Sequence, residues 1–386
     1  MSLEPKNTKL LFPVFCLVTA ILGIESGGFQ LALLRAVNEF EFDTSMIGLP
    51  VAAQFISMSF IPLIFGPLSD KIGKLKILTL FIGIFAFACY FVWASNTAIE
   101  FLIGVFIIGA GFSVIECSIA ATISDVFSEK AEKYINLSQC FFGIGAVASP
   151  IILQALITNY SVSWQLMFLI SAIMMVAIIP VILTIRINPV KGKKEGHIQD
   201  TTEKIRPILL IGFILCMFAY VGVEGSLAFF ADTLFTINMN TPALGALAIS
   251  FFWGFMGIGR FFIGRLKTIP RNATAFSFLG MAVVVFIIIF ISDGYVLLVV
   301  FAIAGIACAC VWPGIIHSAV SLNRNSSGTI LSYLNVGSGL GGAVVPLLIG
   351  ALWNSAGFSF SFIIMALLPI AAGFFMLKNS KKTSNI

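Results

Sequence analysis

Charged residues are scarce in this sequence. Its 386 residues include 22 Lys and Arg and 17 Asp and Glu, which make up 10% of the chain, whereas 59% of the residues are hydrophobic. A soluble domain of this size cannot hide so much apolar surface. The apolar residues occur in runs of about 20, the length at which an α-helix crosses a bilayer. The composition therefore excludes an ordinary soluble protein, and the net charge of +5 describes loops and is no evidence for nucleic-acid binding.

Signals of enzymatic chemistry are also missing. The sequence has two histidines and contains no nucleotide-binding loop, metal-ligating cluster or nucleophile–base constellation. We therefore predict that the protein is not an enzyme, that it uses no cofactor or metal, and that an ion gradient and not ATP drives its work. The cysteines lie within apolar runs and are predicted to be small buried residues without disulfides: Cys16, Cys89, Cys117, Cys140, Cys216, Cys308 and Cys310.

The apolar runs predict twelve transmembrane helices, and so an all-α membrane protein. The predicted spans cover residues 10–34, 45–68, 75–94, 98–125, 134–158, 164–185, 207–235, 242–266, 273–292, 295–322, 327–353 and 358–378. The longest polar segment separates spans six and seven and is typical of a solvated linker. The predicted domains are an N-terminal six-helix lobe at 1–187, a cytoplasmic linker at 188–206 and a C-terminal six-helix lobe at 207–386.

Basic residues predict the orientation of these spans. With the N-terminus inside, all Lys and Arg residues except Arg35 fall at cytoplasmic ends and loops. An excess of basic residues on one side is the usual mark of the cytoplasmic face. We expect a multi-pass protein of the inner cell membrane with both termini in the cytoplasm.

The two halves of the chain repeat each other. Several residues recur at a shared offset of 196 positions, and Gly23-Ile-Glu25 returns as Gly222-Val-Glu224. Two similar rigid units are what a transporter needs if it is to rock about a central site. The pairs at this offset are Gly109 and Gly305, Glu116 and Trp312, Gly143 and Gly339, Gly145 and Gly341, and Pro150 and Pro346.

The segment between spans two and three carries a family motif. Its sequence, Gly-Pro-Leu-Ser-Asp-Lys-Ile-Gly-Lys-Leu-Lys at 66–76, predicts a short charged cytoplasmic loop. It resembles the signature of the major facilitator superfamily at the position where that family requires it. The resemblance implies two six-helix lobes, transport by alternating access, and a cavity lined by spans 1, 4, 7 and 10. The matching residues are Gly66, Leu68, Ser69, Asp70, Lys71, Gly73 and Lys74.

Three further segments narrow the resemblance. Gly109-Ala-Gly-Phe-Ser-Val-Ile-Glu116, the run at 136–145 and Tyr220-Val-Gly-Val-Glu-Gly-Ser226 are similar to the bacterial branch of fucose–proton symporter-like carriers. The Arg within span 4 that marks drug–proton antiporters is absent. The Gly-Pro pair of those antiporters is replaced by Ser149-Pro150. These features favour uptake over efflux.

Three acidic residues lie inside predicted spans. Glu25, Glu116 and Glu224 are in spans 1, 4 and 7, whereas spans 3, 6, 9 and 12 have no charge in their interiors. Ionisable groups within a membrane are costly and usually face a cavity or a partner. We predict that all three couple transport to protons, with Glu116 as the main carrier. The alternatives are a neutral Glu116 bonded to a carbonyl or to Gln139. For Glu25 and Glu224 they are binding of substrate hydroxyls, binding of a cation, or a helix–helix hydrogen bond.

Other polar and aromatic residues on the presumed cavity helices are predicted to bind substrate. Amides suit the hydroxyls of a sugar and rings suit its apolar face, although any of these residues could instead fill the bundle. They are Gln30, Gln54, Gln139, Tyr220, Trp253, Trp312, Tyr333 and Asn335.

A third set of residues is predicted to form a cytoplasmic gate. Arg260 and Arg265 end span 8 and resemble a degenerate second copy of the family motif. We expect them to pair with Asp70 and Asp125 in one state of the transporter and to separate in the other; the alternative is that they only anchor topology. The full set is Gly66, Asp70, Lys71, Gly73, Lys74, Asp125, Arg260 and Arg265.

Together these features predict a secondary transporter. We expect proton-coupled uptake of a sugar or other small polar solute by a monomer that has a small-molecule substrate, protons and the lipid bilayer as partners, and no nucleic acid. The runner-up is a proton antiporter that exports a drug-like or cationic compound. A transport-dead receptor is a third class, and sodium stays open as the coupling ion because a buried Glu serves either ion.

Overall fold

The computed structural model describes residues 8–127, 131–185, 207–263, 272–322 and 327–383. All regular secondary structure in this part of the chain is helical, and it contains no strand. The helices are α1 Thr8–Glu39, α2 Leu49–Ile72, α3 Lys74–Trp93, α4 Ala98–Phe127, α5 Ala131–Tyr160, α6 Leu166–Thr184, α7 Pro207–Thr233, α8 Pro242–Ile263, α9 Ala273–Ile288, α10 Gly294–Ala309, α11 Val311–Val320, α12 Ser327–Ala356 and α13 Phe358–Thr383. A π-helical turn, Leu234–Asn238, continues α7.

The helices reproduce the predicted twelve-span fold. Helices α1 to α9 correspond to spans one to nine, α10 and α11 together form span ten, and α12 and α13 are spans eleven and twelve. Within the described residues, eleven spans are long and apolar enough to cross a membrane, and α9 is a shorter apolar helix of 16 residues. Span ten is broken at Cys310 because Pro313, three residues on, has no N–H to continue the helical hydrogen bonds.

The predicted loop at 66–76 is wrong in length. Helix α2 continues through Ile72, and Gly73 is the one residue between α2 and α3. Its φ of 110° is a conformation that favours glycine. Gly66 lies inside α2, where a Cβ would meet nothing within 4 Å. Gly73 therefore makes the turn as predicted, whereas Gly66 neither turns the chain nor allows a close approach.

The connection at the opposite end of these helices is also short. A 3₁₀ turn, Thr44–Met46, leads into α2, and the carboxylate of Asp43 caps it by accepting from the backbone N–H of Ser45 at 2.8 Å. The Ser45 hydroxyl also donates to this carboxylate, and the two hydrogen bonds lower the pKa of Asp43. Hereafter, the end of the bundle that contains Gly73 is the Gly73 end, and the end that contains Asp43 is the Asp43 end.

The helices form two bundles, α1–α6 and α7–α13, with matching internal contacts. A Cβ at Gly109 would overlap the backbone carbonyl of Gln54, and a Cβ at Gly305 would overlap that of Phe252. Close approach of two helices at a small residue is the usual packing of membrane helices. Gly145 against Ala20 and Gly341 against Phe218 form a second equivalent pair. The chain thus has two six-span pseudo-symmetric lobes, as the repeat predicts.

The lobes contact each other mainly at the Asp43 end. Helix α2 packs on α12 where Ile47 meets Gly350 and Gly48 meets Pro346. Helix α5 meets α8 where the Ser250 hydroxyl donates to the Val147 carbonyl at 2.7 Å. Near the middle of the bundle, Gly339 of α12 packs on Ser59 of α2. The linker predicted at 188–206 lies outside the described residues.

Candidate functional site

The C-terminal lobe carries a cluster of three polar side chains. The Tyr220 hydroxyl donates to Glu224 Oε1 at 2.6 Å, and both residues are on α7. Arg260 of α8 brings its Nη2 atom to 3.8 Å from Glu224 Oε1 and 3.5 Å from the Tyr220 hydroxyl oxygen. The side chain of Arg260 is 42% exposed. The guanidinium therefore balances the charge of Glu224 while most of its donors stay available.

Arg260 lies on the side of α8 that faces the other lobe. It is seven residues after Trp253, and a spacing of seven returns to the same face of a helix. The Trp253 indole donates to Gln30 Oε1 at 2.8 Å and its ring packs on Phe142, both in the N-terminal lobe. Arg260 is two turns nearer the Gly73 end, where it borders the space between the lobes. We call this space, bordered by Gln139, Arg260 and Asn335, the cleft.

Glu25 is the buried acid of the N-terminal lobe. Gln54 Nε2 donates to its Oε1 atom at 3.3 Å, and its Oε2 atom has no hydrogen-bond partner. Among the described residues no Lys or Arg forms an ion pair with it. Gln54 is itself buried, and its carbonyl lies against Gly109. Glu25 and Gln54 therefore lie inside the lobe and not on the surface of the cleft in this conformation.

Glu116 is the second acid of the N-terminal lobe. It is partly buried on α4, and Gln139 Nε2 of α5 donates to its Oε1 atom at 3.3 Å. This is the hydrogen bond that the alternative interpretation names. Gln139 is exposed, so the pair is less isolated from solvent than a position deep in span 4 suggests. Proton carriage by Glu116 stays a prediction.

Asn335 is the repeat partner of Gln139, since 335 minus 139 is the shared offset of 196. It is exposed and lies one turn before Gly339, which packs on Ser59 of the other lobe. Asn335 therefore borders the cleft. Tyr333 is 50% exposed but lies roughly 200° around the helix from Asn335, so these two predicted substrate residues cannot share a face.

The remaining predicted substrate residues are dispersed. Gln30 is buried against Trp253, so both help to close the region between the lobes. Trp312 is exposed and lies directly after the break at Cys310, at the position equivalent to Glu116. Gln54 contacts Glu25 and not the cleft.

Those predicted gate residues whose side chains the structure describes do not pair across the lobes in this conformation. Lys74 Nζ contacts Asp125 Oδ2 at 2.6 Å, and both residues belong to the N-terminal lobe. Arg260 contacts Glu224 and Tyr220 instead of Asp125. Lys71 is exposed at the end of α2. The Asp70 side chain and all of Arg265 lie outside the described residues, and the role of the set as a gate stays a prediction.

Two cysteines also depart from expectation. Cys117 and Cys140 are exposed, whereas the other five are buried as predicted. They directly follow Glu116 and Gln139 in the sequence.

A charged contact between the lobes was missed by sequence reasoning. Arg35, in the last turns of α1, places Nη1 2.8 Å from Asp232 Oδ2 at the end of α7. Its Nη2 atom donates to Gln154 Oε1 of α5 at 2.7 Å. The available signal was the exceptional position of Arg35, the one basic residue predicted on the outer side, together with an acid at the same end of span 7.

Comparison with known proteins identifies the family. The sequence model of the Major Facilitator Superfamily matches residues 15–294 and 213–385. The chain belongs to the Major Facilitator Superfamily. As a major facilitator, it is a secondary transporter with many membrane spans and not an enzyme, in agreement with the sequence-based prediction.

Individual relatives include both sugar transporters and resistance proteins. The chain is 22% identical to the glucose/mannose transporter GlcP of Bacillus subtilis over 356 residues, which cover 89% of this chain and 88% of GlcP. It is 24% identical to the multidrug resistance protein MdtM of Salmonella typhimurium, over 56% of this chain and 54% of MdtM. The crystal structure of the E. coli fucose:proton symporter FucP superimposes with a TM-score of 0.67 at 19% identity, over 95% of this chain and 98% of FucP.

Proposed function

We propose that this major facilitator takes up a sugar or similar small polar solute together with protons, by alternating access. The observation that carries the proposal is that each lobe holds a carboxyl group whose hydrogen-bond or ion-pair partner borders the cleft. Glu116 with Gln139 comes from the N-terminal lobe, and Glu224 with Tyr220 and Arg260 comes from the C-terminal lobe. The likeness to GlcP over almost the whole chain and the shared fold with FucP support this function.

The orientation that we propose puts the Gly73 end in the cytoplasm. Lys71 and Lys74 lie at that end, and basic residues mark the cytoplasmic face. The lobes meet at the Asp43 end, so this conformation faces inward and its outer side is closed. The domain assignment is part of the same proposal: the N-terminal lobe at 1–187, the linker at 188–206 and the C-terminal lobe at 207–386.

The groups that border the cleft suit a polyhydroxylated solute. Gln139 and Asn335 supply amides from equivalent positions in the two lobes, and each amide both donates and accepts hydrogen bonds. Arg260 adds donors, and its 42% exposed side chain leaves room for a solute to reach them. Trp253 supplies a ring against which the apolar face of a sugar can pack.

The contact between Glu116 and Gln139 supports the proposed proton coupling. The carboxyl has an amide as its hydrogen-bond partner, and no described Lys or Arg pairs with it. A carboxyl without a nearby cation in a low-dielectric site favours its protonated form. A solute hydroxyl that takes the Gln139 amide removes the hydrogen bond that stabilises the carboxylate. Substrate and proton therefore stabilise each other in the cleft, which is the requirement for symport.

Export is the second candidate, and one comparison favours it. MdtM is named as a multidrug resistance protein and matches about half of this chain. An exporter would use the Phe and Met side chains of the lobes as an adaptable pocket. Uptake is preferred because GlcP matches along nearly the full chain and the cleft has polar groups from both lobes.

The test is external pH in lightly buffered, energy-depleted cells that express the chain while single sugars and polar metabolites are added. We expect one solute to make the medium more alkaline, and Glu116→Gln to abolish that signal because it removes the titrating group. Cys117→Ser, next to Glu116, is the matched control and should keep the signal. If no solute changes the pH while energised cells accumulate less dye, the uptake proposal fails and the exporter takes its place.

A further inference from the structure

Arg260 has more hydrogen-bond donors than the C-terminal lobe uses. A guanidinium carries five N–H donors in a planar fork. The Nη2 atom of Arg260 makes both of its contacts, at 3.5 Å to the Tyr220 hydroxyl oxygen and at 3.8 Å to Glu224 Oε1. Among the described residues, no acceptor lies within hydrogen-bond distance of Nη1 or Nε. Most of the fork is therefore available to a ligand in the cleft.

Glu224 does not depend on Arg260 alone. Its Oε1 atom accepts a hydrogen bond from the Tyr220 hydroxyl at 2.6 Å, one turn away on the same helix. The 3.8 Å between Arg260 Nη2 and Glu224 Oε1 is an ion-pair distance and is too long for a hydrogen bond. The side chain of Glu224 is 13% exposed, against 42% for Arg260. Glu224 is thus the more enclosed member of the pair, and the guanidinium can bind a ligand while Glu224 keeps its bond to Tyr220.

The charge of Arg260 is distinct from that of the other cations at the Gly73 end. Lys74 pairs with Asp125 of its own lobe at 2.6 Å. Among the described residues, Arg260 is the cation that pairs with an acid beside the cleft. The cleft therefore has the positive charge to bind one anionic group. The other described lysines at this end are exposed near the ends of their helices: Lys71, Lys76, Lys133 and Lys378.

We infer that Arg260 binds a carboxylate of the transported solute, which is then a sugar acid or a similar hydroxylated monocarboxylate and not a neutral sugar. Hydroxyls alone need no cation, because Gln139 and Asn335 already offer amides and a charged side chain within the membrane is costly. A planar carboxylate fits the guanidinium fork through two parallel hydrogen bonds. The inference rests on the proposed function, from which it takes the cleft as the binding site of the solute.

The remaining groups indicate the shape and charge of this solute. Trp253 lies on the same face of α8 two turns from Arg260, about 10 Å along the helix axis. This spacing suits a ligand that has a carboxylate at one end and a hydroxylated ring toward the other. A phosphate or a second carboxylate would bring a further negative charge beside Glu224, and the described residues supply no second cation there. A single carboxylate is therefore preferred to either.

The experiment measures binding to the purified full chain, so that it depends neither on the coupling ion nor on the direction of transport. Isothermal titration calorimetry in detergent gives the Kd of matched ligands: D-glucuronate and D-gluconate against D-glucose, and D-galacturonate against D-galactose. The methyl ester of each uronate keeps the ring and removes the charge, and D-glucose 6-phosphate tests a phosphate. The variants are Arg260→Gln, Arg260→Lys and the double variant Arg260→Gln with Glu224→Gln. Lys378→Gln, which removes an exposed cation from α13, is the matched control.

We expect at least one acid to bind roughly 30-fold more tightly than its matched sugar, the size of a charge-assisted pair of hydrogen bonds. A methyl ester should bind no better than the sugar. Arg260→Gln should remove the preference by weakening the acid and not the sugar, and Arg260→Lys, which keeps the charge without the fork, should retain part of it. Lys378→Gln should keep all of it. The double variant should show no preference, and it replaces Arg260→Gln if that variant does not fold, because it leaves no carboxylate without its cation.

The outcomes separate this inference from the proposed function. If no acid binds more tightly than its matched sugar, or if the preference survives in Arg260→Gln and in the double variant, the inference is overturned. Tighter binding of D-glucose 6-phosphate than of every carboxylate also overturns it. A neutral sugar that still makes the medium alkaline in the cell assay then leaves proton-coupled uptake intact. An acid preference that depends on Arg260, in cells where no solute changes the external pH, supports the inference and rejects only the uptake proposal.

Discussion

Glu25 and Glu224 hold equivalent places in the two lobes, yet their surroundings differ in kind. Glu25 is enclosed in the N-terminal lobe with the amide of Gln54 as its partner. Glu224 has the Tyr220 hydroxyl and the Arg260 guanidinium, and it lies beside the cleft. The acid is therefore present in both copies of the repeat, but the residues that contact it differ. The comparison teaches that equivalent positions in a duplicated transporter need not do equivalent work.

The difference has a direct electrostatic meaning. A carboxyl whose partner is a neutral amide gains little by being ionised in a low-dielectric interior, whereas one beside a guanidinium is stabilised as an anion. Glu116 belongs with Glu25 in this respect, since its partner is Gln139. The two acids of the N-terminal lobe thus have neutral amide partners, whereas Glu224 in the C-terminal lobe has a cation 3.8 Å away.

The largest expected effect on this difference between the lobes comes from removing the cation, Arg260. Arg260→Leu leaves Glu224 without a counter-charge and removes donors from the cleft. We expect uptake of the solute found by the pH assay to fall by roughly 100-fold, since the solute loses hydrogen bonds to a charged donor and Glu224 loses its cation partner. The double variant Arg260→Leu with Glu224→Gln should recover part of the loss. Initial uptake rates, normalised to protein in the membrane, test this, and a double variant no better than Arg260→Leu would contradict it.

A smaller expected effect distinguishes Glu224 from Glu25 by the free energy of unfolding of their variants. Glu224→Gln takes the ion partner from Arg260 and should lower the free energy of unfolding by about 1–3 kcal/mol. Glu25→Gln keeps the shape of a residue that has no cation partner and should change it by less than about 0.5 kcal/mol. Thermal unfolding of the purified variants in detergent measures both. Equal losses would show that the acids are held in the same way.

The smallest expected effect tests which face of α12 borders the cleft. Asn335→Leu removes an amide from the cleft and should reduce uptake by roughly tenfold, the worth of one or two hydrogen bonds. Tyr333→Leu, on the other side of α12, should leave uptake near the level of the unchanged chain. Concentration-dependent uptake shows whether the loss is in affinity. A larger defect from Tyr333→Leu would mean that α12 presents a different face to the solute.

The fold could be predicted from sequence because its cause is local. Runs of about 20 apolar residues span a bilayer as helices whatever surrounds them, and the offset of 196 positions indicates two lobes. The predicted helix bounds are wrong where a single residue determines them. Helix α2 passes through the charged segment to Ile72 because only Gly73 adopts the turn conformation, and Pro313 divides span ten.

The partners of the polar residues could not be predicted in the same way. Glu116 and Gln139 lie on adjacent spans, and the sequence analysis gives their contact as an alternative. Arg260 was assigned to a gate because its position at the end of span 8 resembles a family motif, but its long side chain reaches Glu224. Asp232 was overlooked because it lies in the last turn of a span. Its partner is 197 residues away, and only the packing of the lobes brings the two together.

The one-residue turn at Gly73 has a consequence for how the protein is made. A single residue spans at most about 3.6 Å, so the ends of α2 and α3 must lie at the same depth in the membrane. We therefore expect the two helices to enter the membrane together as a hairpin, with the lysines on either side of the turn, Lys71 and Lys74, at one surface of the bilayer.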